Sequence, residues 1–196
     1  VTCTKSNEGF ATAGGVQYVA CAGNFKDAGL EYTGALKVLQ MIFSYEYLWI
    51  QIRVKGGAYG CMCSFSDQGD SMFVTYRDPN LSESYKVYDE AADYVADFDA
   101  DDRDMKKYII GTIGSMDMPM EAVDMGARSF HAYFLGKTEA ELQKVRDQVL
   151  SCTQEDIRAL APIVKAVVEA GNRCCIGNEE KIDQNKEYFD EVKHVL

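Results

Sequence analysis

Residues 58–76 read AYGCMCSFSDQGDSMFVTY, a stretch in which two apolar and aromatic runs flank a polar turn. Residues 58–66 and 71–76 are rich in the residue types that favour strands. The turn between them is DQGD, residues 67–70, and a Gly-containing turn between two such runs is typical of a β-hairpin. The sequence therefore predicts an antiparallel pair of strands, and the rest of the fold is built around it.

A strand and a long helix are predicted before the hairpin. Residues 15–25 alternate between two faces and predict a strand. Residues 33–50 carry two adjacent apolar stripes at helical spacing, which predict a broadly buried helix. The stripes are Leu36, Leu39, Phe43, Tyr47 and Ile50, and beside them Ala35, Val38, Ile42 and Trp49. The segment RVKGGAYG, residues 53–60, contains three glycines and is predicted to break this helix.

The chain beyond the hairpin is predicted to be mainly helical. Asn80 and Glu83 have the spacing of a capping box that opens a helix reaching about residue 98. Asp102 is predicted to cap the next helix. Pro119 is predicted to lie in the first turn of another helix, which ends at Gly136.

The last part of the chain completes the predicted topology. Thr138 and Glu141 form a second capping box, and Thr153 is predicted to cap a segment that ends near Gly171. A short strand at residues 173–176 and a terminal amphipathic helix follow. The order of elements predicts a single α+β domain over residues 1–196, with a mostly antiparallel sheet packed by helices.

Composition limits the classes of function. The 196 residues are 47% hydrophobic and 26% charged, as in an ordinary globular domain, and no apolar run is long enough to span a membrane. The formal charge of −11 argues against nucleic-acid binding. It fits either a solvated acidic surface or an acidic wall that faces basic peptides. The first residues lack an initiator Met and any signal-peptide pattern, so we interpret the chain as part of a longer one.

The seven cysteines fit free thiols in a reducing compartment, which we expect to be the bacterial cytoplasm or an organelle matrix. Cys61 and Cys63 lie two residues apart on a predicted strand and so share one face. Two thiolates alone do not make a tetrahedral zinc site, and we interpret both as small core residues.

Other familiar constellations find no support in the sequence. The two histidines, His131 and His194, are not part of an H-E-x-x-H or H-x-x-E-H motif, so no metal site is predicted in this chain. We interpret His131 as a packing residue and His194 as solvated. The aspartates between residues 97 and 104 lack the Gly at 102 and the Glu at 108 that a calcium loop requires. The glycines of residues 56–60 lack the Lys and Ser/Thr of a phosphate-binding loop, and Ser115 is not in a G-x-S-x-G elbow.

Two motifs are more specific than their composition: RVKGGAYG at residues 53–60 and YRDPN at residues 76–80. Joined by a hairpin, they resemble the C-terminal half of insulinase-like (pitrilysin-type) zinc metallopeptidases, most closely the presequence-protease branch. The stretch IIGTIG at residues 109–114 also resembles that branch. The resemblance covers residues 15–171 and is weakest in the tail.

The resemblance implies a chain of two similar halves that close around a chamber, each half made of two α+β domains. The N-terminal half, absent from this sequence, would bind Zn²⁺, while this part would supply a substrate-clamping Arg and Tyr. By motif position these are Arg53 and Tyr59. Gly56, Gly57 and Ala58 are expected to let the substrate backbone approach closely.

The partners implied are the N-terminal half of the same polypeptide and unfolded peptide substrates, and this chain alone is expected to be inactive. The resemblance leaves an alternative open, namely a non-catalytic paired homologue that docks on a separate catalytic subunit and binds peptide. A stand-alone interaction domain of the same fold is a third interpretation. Neither nucleic acid nor a membrane is expected as a partner.

Overall fold

The structure is a computed structural model and describes residues 4–195. Six strands form one mixed sheet in the order β3-β4-β2-β5-β1-β6. The strands are β1 (Glu8–Thr12), β2 (Tyr18–Asn24), β3 (Gly60–Phe65), β4 (Asp70–Tyr76), β5 (Asn172–Asn178) and β6 (Glu191–His194). The pairs β3–β4, β4–β2 and β2–β5 are antiparallel, whereas β5–β1 and β1–β6 are parallel. The predicted α+β class with a mostly antiparallel sheet is confirmed.

The helices supply the rest of the fold. They are α1 (Ala35–Ile42), α2 (Ser82–Asp89), α3 (Ala91–Ala96), α4 (Asp102–Met116), α5 (Ala122–Phe134), α6 (Glu139–Leu150), α7 (Gln154–Arg158), α8 (Ala161–Glu169) and α9 (Glu179–Gln184). Two π-helical segments, Phe43–Tyr47 and Trp49–Lys55, continue α1 without a break in helical backbone. Short 3₁₀ turns lie at Phe25–Ala28 and Lys186–Tyr188. No helix within residues 4–195 has both the length and the apolar character needed to cross a membrane.

The core lies between the helices and one face of the sheet. Alternate residues of the strands, such as Val19 and Cys21, are buried against it. Phe73 of β4 is at its centre, with ring-centroid distances of 5.7 Å to Phe43, 6.0 Å to Phe65 and 5.4 Å to Tyr88. The opposite face of the sheet exposes several large apolar side chains: Met62, Met72, Tyr76 and Ile176.

The helix before the hairpin is longer than predicted. It continues to Lys55 instead of ending near residue 50, and its second half is π-helical. Because a π turn contains more residues than an α turn, the buried positions shift from those that a 3.6-residue period predicts. Leu48 and Ile52 are buried, while Trp49 and Ile50, which we assigned to the buried stripes, are 38% and 37% exposed.

Three predicted helix starts are wrong. The helix after YRDPN begins at Ser82 with Leu81 as its N-cap, because the Asn80 side chain bonds to the backbone of residue 56 instead. Asp101, not Asp102, caps α4, accepting hydrogen bonds from the amides of residues 103 and 104. Pro119 lies before α5, which begins at Ala122. By contrast, the capping box at Thr138 and the cap at Thr153 are confirmed.

The two ends of the described chain were the least well predicted. The strand predicted at residues 173–176 is part of β5, but the terminal helix is reduced to α9 and the chain then forms β6. Strand β1 was not predicted at all. Both missed strands pair in parallel, and a parallel pairing leaves no local turn signal in the sequence. His194 therefore lies in a strand, although it is exposed as expected.

His131 is exposed on α5, so its interpretation as a packing residue is wrong. None of the residues of α5 is buried. Cys63 is buried and Cys61 half-buried, in line with their interpretation as core residues. Burial raises the pKa of the Cys61 thiol to about 11, although the Arg53 guanidinium opposes the shift. Cys3 lies outside the described residues.

Candidate functional site

Arg53 lies in the last turn of the π-helical segment Trp49–Lys55, not in a loop after the helix. The side chain is ordered by two contacts. Its Nη1 donates a hydrogen bond of 2.8 Å to the carbonyl oxygen of Tyr59. Its Cζ lies 4.2 Å from the centre of the Trp49 ring, a cation–π arrangement. A cation is also favourable at the C-terminal end of a helix, where the backbone carbonyls carry partial negative charge.

The helix ends in a turn at residues 56–59. The amide of Gly57 donates to the carbonyl of Arg53 at 3.1 Å, and the amide of Ala58 to that of Ile52 at 3.1 Å. This pattern is a widened form of the Schellman motif, as expected where the last turn is π-helical. Gly57 has a φ of +81°, the left-handed conformation that this type of helix end requires and that glycine adopts without strain.

The turn places Tyr59 on the surface beside Arg53. Tyr59 is 64% exposed, whereas Ala58 before it is 4% exposed and faces the core. The Tyr59 ring lies 5.7 Å from the Arg53 guanidinium carbon and 5.7 Å from the Tyr76 ring. The Tyr76 ring in turn lies 5.5 Å from that of Tyr18, edge to face. Trp49, Tyr59, Tyr76 and Tyr18 thus form a continuous aromatic row, with Arg53 between the first two.

The second motif, YRDPN, forms hydrogen bonds to the turn at residues 56–59. The amide of Tyr59 donates to the carbonyl of Arg77 at 3.2 Å, and Arg77 itself has a left-handed backbone, with φ 49°. Asp78 is fully buried, and burial raises the pKa of its carboxyl group even though Ser84 and Asn80 donate hydrogen bonds to it. The two motifs, which the sequence separates by a hairpin, therefore meet in one structural unit.

The structure brings together the predicted pair, Arg53 and Tyr59, and adds three groups that sequence reasoning missed. Trp49 was assigned to a buried stripe, but it stacks on Arg53. Tyr76 and Asn80 belong to a motif that carried the resemblance, yet neither was assigned a role at this site, and Asn80 was assigned to a helix cap instead. The signal that could have identified Tyr76 and Asn80 is the position of YRDPN at the end of β4, opposite the predicted helix break at residues 53–60.

The described residues do not fit a zinc site. Among residues 4–195, no group of three or more His, Cys, Asp or Glu side chains is arranged to hold a metal ion. The imidazole of His194 contacts a carboxylate, that of Glu179, at 3.3 Å. His194 lies in β6 at one edge of the sheet, whereas Arg53 precedes β3 at the opposite edge. Zinc in a protein takes about four ligands, and the described residues bring no such set together.

The fold defines a class of protein. Among solved structures, the peptidase M16 inactive domain from Pseudomonas fluorescens has a TM-score of 0.63, at 15% identity, covering 88% of this chain and 42% of that one. At this level of identity the similarity shows the fold alone. The fold is therefore that of M16 peptidase inactive domains.

Sequence comparison identifies the family. The family model of the PreP C-terminal domain matches residues 7–178, and the chain belongs to that family. The chain is 43% identical to protein HypA of Clostridium perfringens over 192 residues, covering 98% of this chain and 20% of that protein. It is 34% identical to presequence protease 1, chloroplastic/mitochondrial, of Arabidopsis thaliana over 194 residues, covering 97% and 18%. The predicted resemblance is confirmed, and the chain spans about a fifth of the length of these curated relatives.

Proposed function

We propose that this chain is the C-terminal, non-zinc-binding domain of a zinc-dependent peptidase that hydrolyses unfolded peptides in a closed chamber. In this proposal Arg53 and Tyr59 contact the substrate across the chamber, and Zn²⁺ is bound by the N-terminal part of the same polypeptide. The observation that carries the proposal is the ordered, exposed Arg53–Tyr59 pair at the end of a helix, in a chain of the PreP C-terminal domain family. A π-helical turn is also frequent at functional sites.

The two side chains have different chemical roles in this proposal. When water attacks a peptide carbonyl, negative charge develops on the carbonyl oxygen. The phenolic hydroxyl of Tyr59 would donate a hydrogen bond to that oxygen, an interaction that strengthens in the transition state. Arg53 keeps a fixed positive charge and further N–H donors beside the one used on the Tyr59 carbonyl, so it can bind a carbonyl of the peptide in the ground state too.

The surroundings also suit an extended peptide. The aromatic row continues from Tyr59 onto the exposed face of the sheet, where Met62 and Ile176 add apolar surface. Such a surface can receive apolar side chains of an unfolded peptide while Arg53 binds its backbone. Gly57, which has no side chain, would leave room for the substrate at the turn, whereas a Cβ on Gly56 would meet the Ile52 carbonyl oxygen at 2.5 Å. The six cysteines of residues 4–195 are free, which fits a reducing compartment.

The experiment uses the full-length polypeptide that contains this chain, purified and assayed on one fluorogenic peptide. Tyr59→Phe removes only the hydroxyl and should lower kcat by about 10- to 1,000-fold with little change in KM. Arg53→Ala should raise KM as well, because its charge also acts on the bound substrate. Lys55→Ala is the control, since Lys55 lies one residue before the turn and its side chain donates a hydrogen bond to Gln51, away from Tyr59.

Zinc content should be unchanged in all three variants. If Tyr59→Phe retains wild-type kcat while Lys55→Ala is inactive, the side chains have been assigned incorrectly. If all three variants lose activity together with thermal stability, the segment is structural and the proposal loses its basis. A wild-type polypeptide that binds the peptide without cleaving it would instead favour the alternative, a non-catalytic homologue that docks on a catalytic subunit.

A further inference from the structure

The turn that carries Tyr59 is fixed by one side chain outside the Arg53–Tyr59 motif. The Nδ2 group of Asn80 donates a hydrogen bond of 2.6 Å to the carbonyl oxygen of Gly56. Carbonyls at the C-terminal end of a helix have no partner within the helix, and a buried one needs a donor from elsewhere. Asn80 supplies that donor where the chain leaves the helix. The contact spans 24 residues of sequence, so it is tertiary and not a local cap.

Asn80 is itself held by a buried carboxylate. Asp78 is fully buried, and its Oδ1 accepts the amide of Asn80 at 2.9 Å. Its Oδ2 accepts the hydroxyl of Ser84, a buried residue of α2, at 2.6 Å. The backbone of Asp78 pairs with that of Gln17 through two hydrogen bonds, of 2.7 and 2.8 Å. Asp78 is therefore fixed to the sheet on one side and to α2 on the other.

The same segment also holds the other end of the turn. The amide of Tyr59 donates to the carbonyl of Arg77, and the carbonyl of Tyr59 accepts from Arg53. Residues 56–59 are thus attached at the start through Asn80 and at the end through Arg77. If the attachment at Gly56 is lost, the start of the turn is left with the backbone hydrogen bonds of residues 56–59, and the Tyr59 carbonyl that orders Arg53 is expected to shift.

We propose that Asn80, anchored by Asp78, is a positioning residue that orients Arg53 and Tyr59 for the substrate. This inference rests on the proposed function for its catalytic consequence, but its structural part can be tested on the chain itself. The chain contains a single tryptophan, Trp49, and this residue stacks on Arg53. Its fluorescence therefore reports where Arg53 is, whether or not the protein is a peptidase.

The first experiment measures acrylamide quenching and the emission maximum of Trp49 in the 196-residue chain. Arg53→Ala uncovers the Trp49 ring and defines the reference change, towards stronger quenching and longer emission wavelength. Asn80→Ala should show most of that change, and Asn80→Asp should show it too, because it places an acceptor opposite the Gly56 carbonyl. Asn185→Ala is the matched control. It removes an amide-to-carbonyl bond of 2.8 Å, to Lys181, remote from the site, and should resemble wild type.

The proposal is refuted if Asn80→Ala has the spectrum and quenching of wild type while Arg53→Ala differs. It is also refuted if Arg53→Ala itself changes nothing, since Arg53 is then not stacked on Trp49. Circular dichroism shows whether each variant is folded. If neither Asn80 variant folds while Asn185→Ala does, Asn80 is required for the fold itself, and the positioning role is rejected.

The second experiment separates positioning from the proposed function. In the full-length polypeptide, Asn80→Ala should lower kcat/KM by about 10- to 100-fold, the scale expected when reacting groups are misplaced by about 1 Å. A changed Trp49 signal with unchanged peptidase activity for both Asn80→Ala and Tyr59→Phe would reject the proposed function but leave the mechanical role of Asn80 intact. Loss of activity in Tyr59→Phe but not in Asn80→Ala would reject the positioning role alone.

Discussion

Gly57 offers a sharp test of how the turn at residues 56–59 is built. Its φ of +81° lies in the left-handed region, so any side chain at this position is strained by the backbone alone. A Cβ added to Gly57 would come no closer than 3.6 Å to another group, the Pro79 Cγ, which is ordinary van der Waals contact. Gly57→Ala therefore isolates the conformational cost from any clash.

The expected loss in free energy of unfolding is about 1–2 kcal/mol, the usual difference between left- and right-handed backbone for a residue with a Cβ. Gly29→Ala is the matched control, with φ of +73° and nothing within 4 Å of the added Cβ. It should lose a similar amount of stability. Gly57→Asn should lose less than Gly57→Ala, because asparagine is the residue after glycine that tolerates this conformation best.

Urea unfolding of the chain, followed by circular dichroism, measures the free energy of unfolding of Gly57→Ala, Gly29→Ala and Gly57→Asn. Trp49 emission in the folded state then distinguishes the two alanine variants, since only residue 57 carries the turn that orders Arg53. The reasoning fails if Gly57→Ala is as stable as wild type, or if Gly57→Asn is less stable than Gly57→Ala. It also fails if the Gly29 and Gly57 variants perturb Trp49 equally.

Two further predictions concern the core beneath the site. Phe73→Ala should lower the free energy of unfolding by about 3–5 kcal/mol, because it removes a fully buried ring that contacts three others. Met72→Ala, at a neighbouring residue that is 48% exposed, should change it by about 0.5 kcal/mol. Equal effects in urea unfolding would contradict the assigned strand faces. Burial raises the pKa of Asp78 above its ordinary value of 3.8, so the folded state binds that proton more tightly than the unfolded state. Relative to Asp78→Asn, wild type should therefore gain stability as pH falls from about 7 through the raised pKa, levelling off below the ordinary one, and a relative loss on acidification would contradict this.

The fold could be predicted where the signals are local. The hairpin at residues 58–76, the strand before the long helix and the caps at Thr138 and Thr153 each depend on residues close together in sequence. Strands β1 and β6 could not be predicted in this way. Each pairs in parallel with a strand that is distant in sequence. Such pairing forms only when the whole sheet assembles, so it leaves no local signal in the sequence.

The site could be predicted in part, and its errors have physical causes. The motif singled out Arg53 and Tyr59, which the structure places side by side, but Trp49 was misplaced because an α-helical period was applied to a π-helical segment. Asn80 was assigned to a capping box because Glu83 lies three residues on. Its side chain instead satisfies the carbonyl of Gly56, an acceptor that exists only once the helix and the hairpin have packed.

The geometry also explains why two short motifs carry so much of the resemblance. Gly60 pairs with Tyr76 and Phe65 with Ser71, so the length of the hairpin alone brings RVKGGAYG against YRDPN. A one-residue change in register would move every side chain of a strand to the other face and separate Tyr59 from Tyr76. The Asn80–Gly56 and Tyr59–Arg77 hydrogen bonds then join the two motifs at the end of the hairpin opposite its turn. The two motifs are therefore a single structural feature. A substitution in YRDPN is expected to change the positions of Arg53 and Tyr59 even though neither of these residues is replaced.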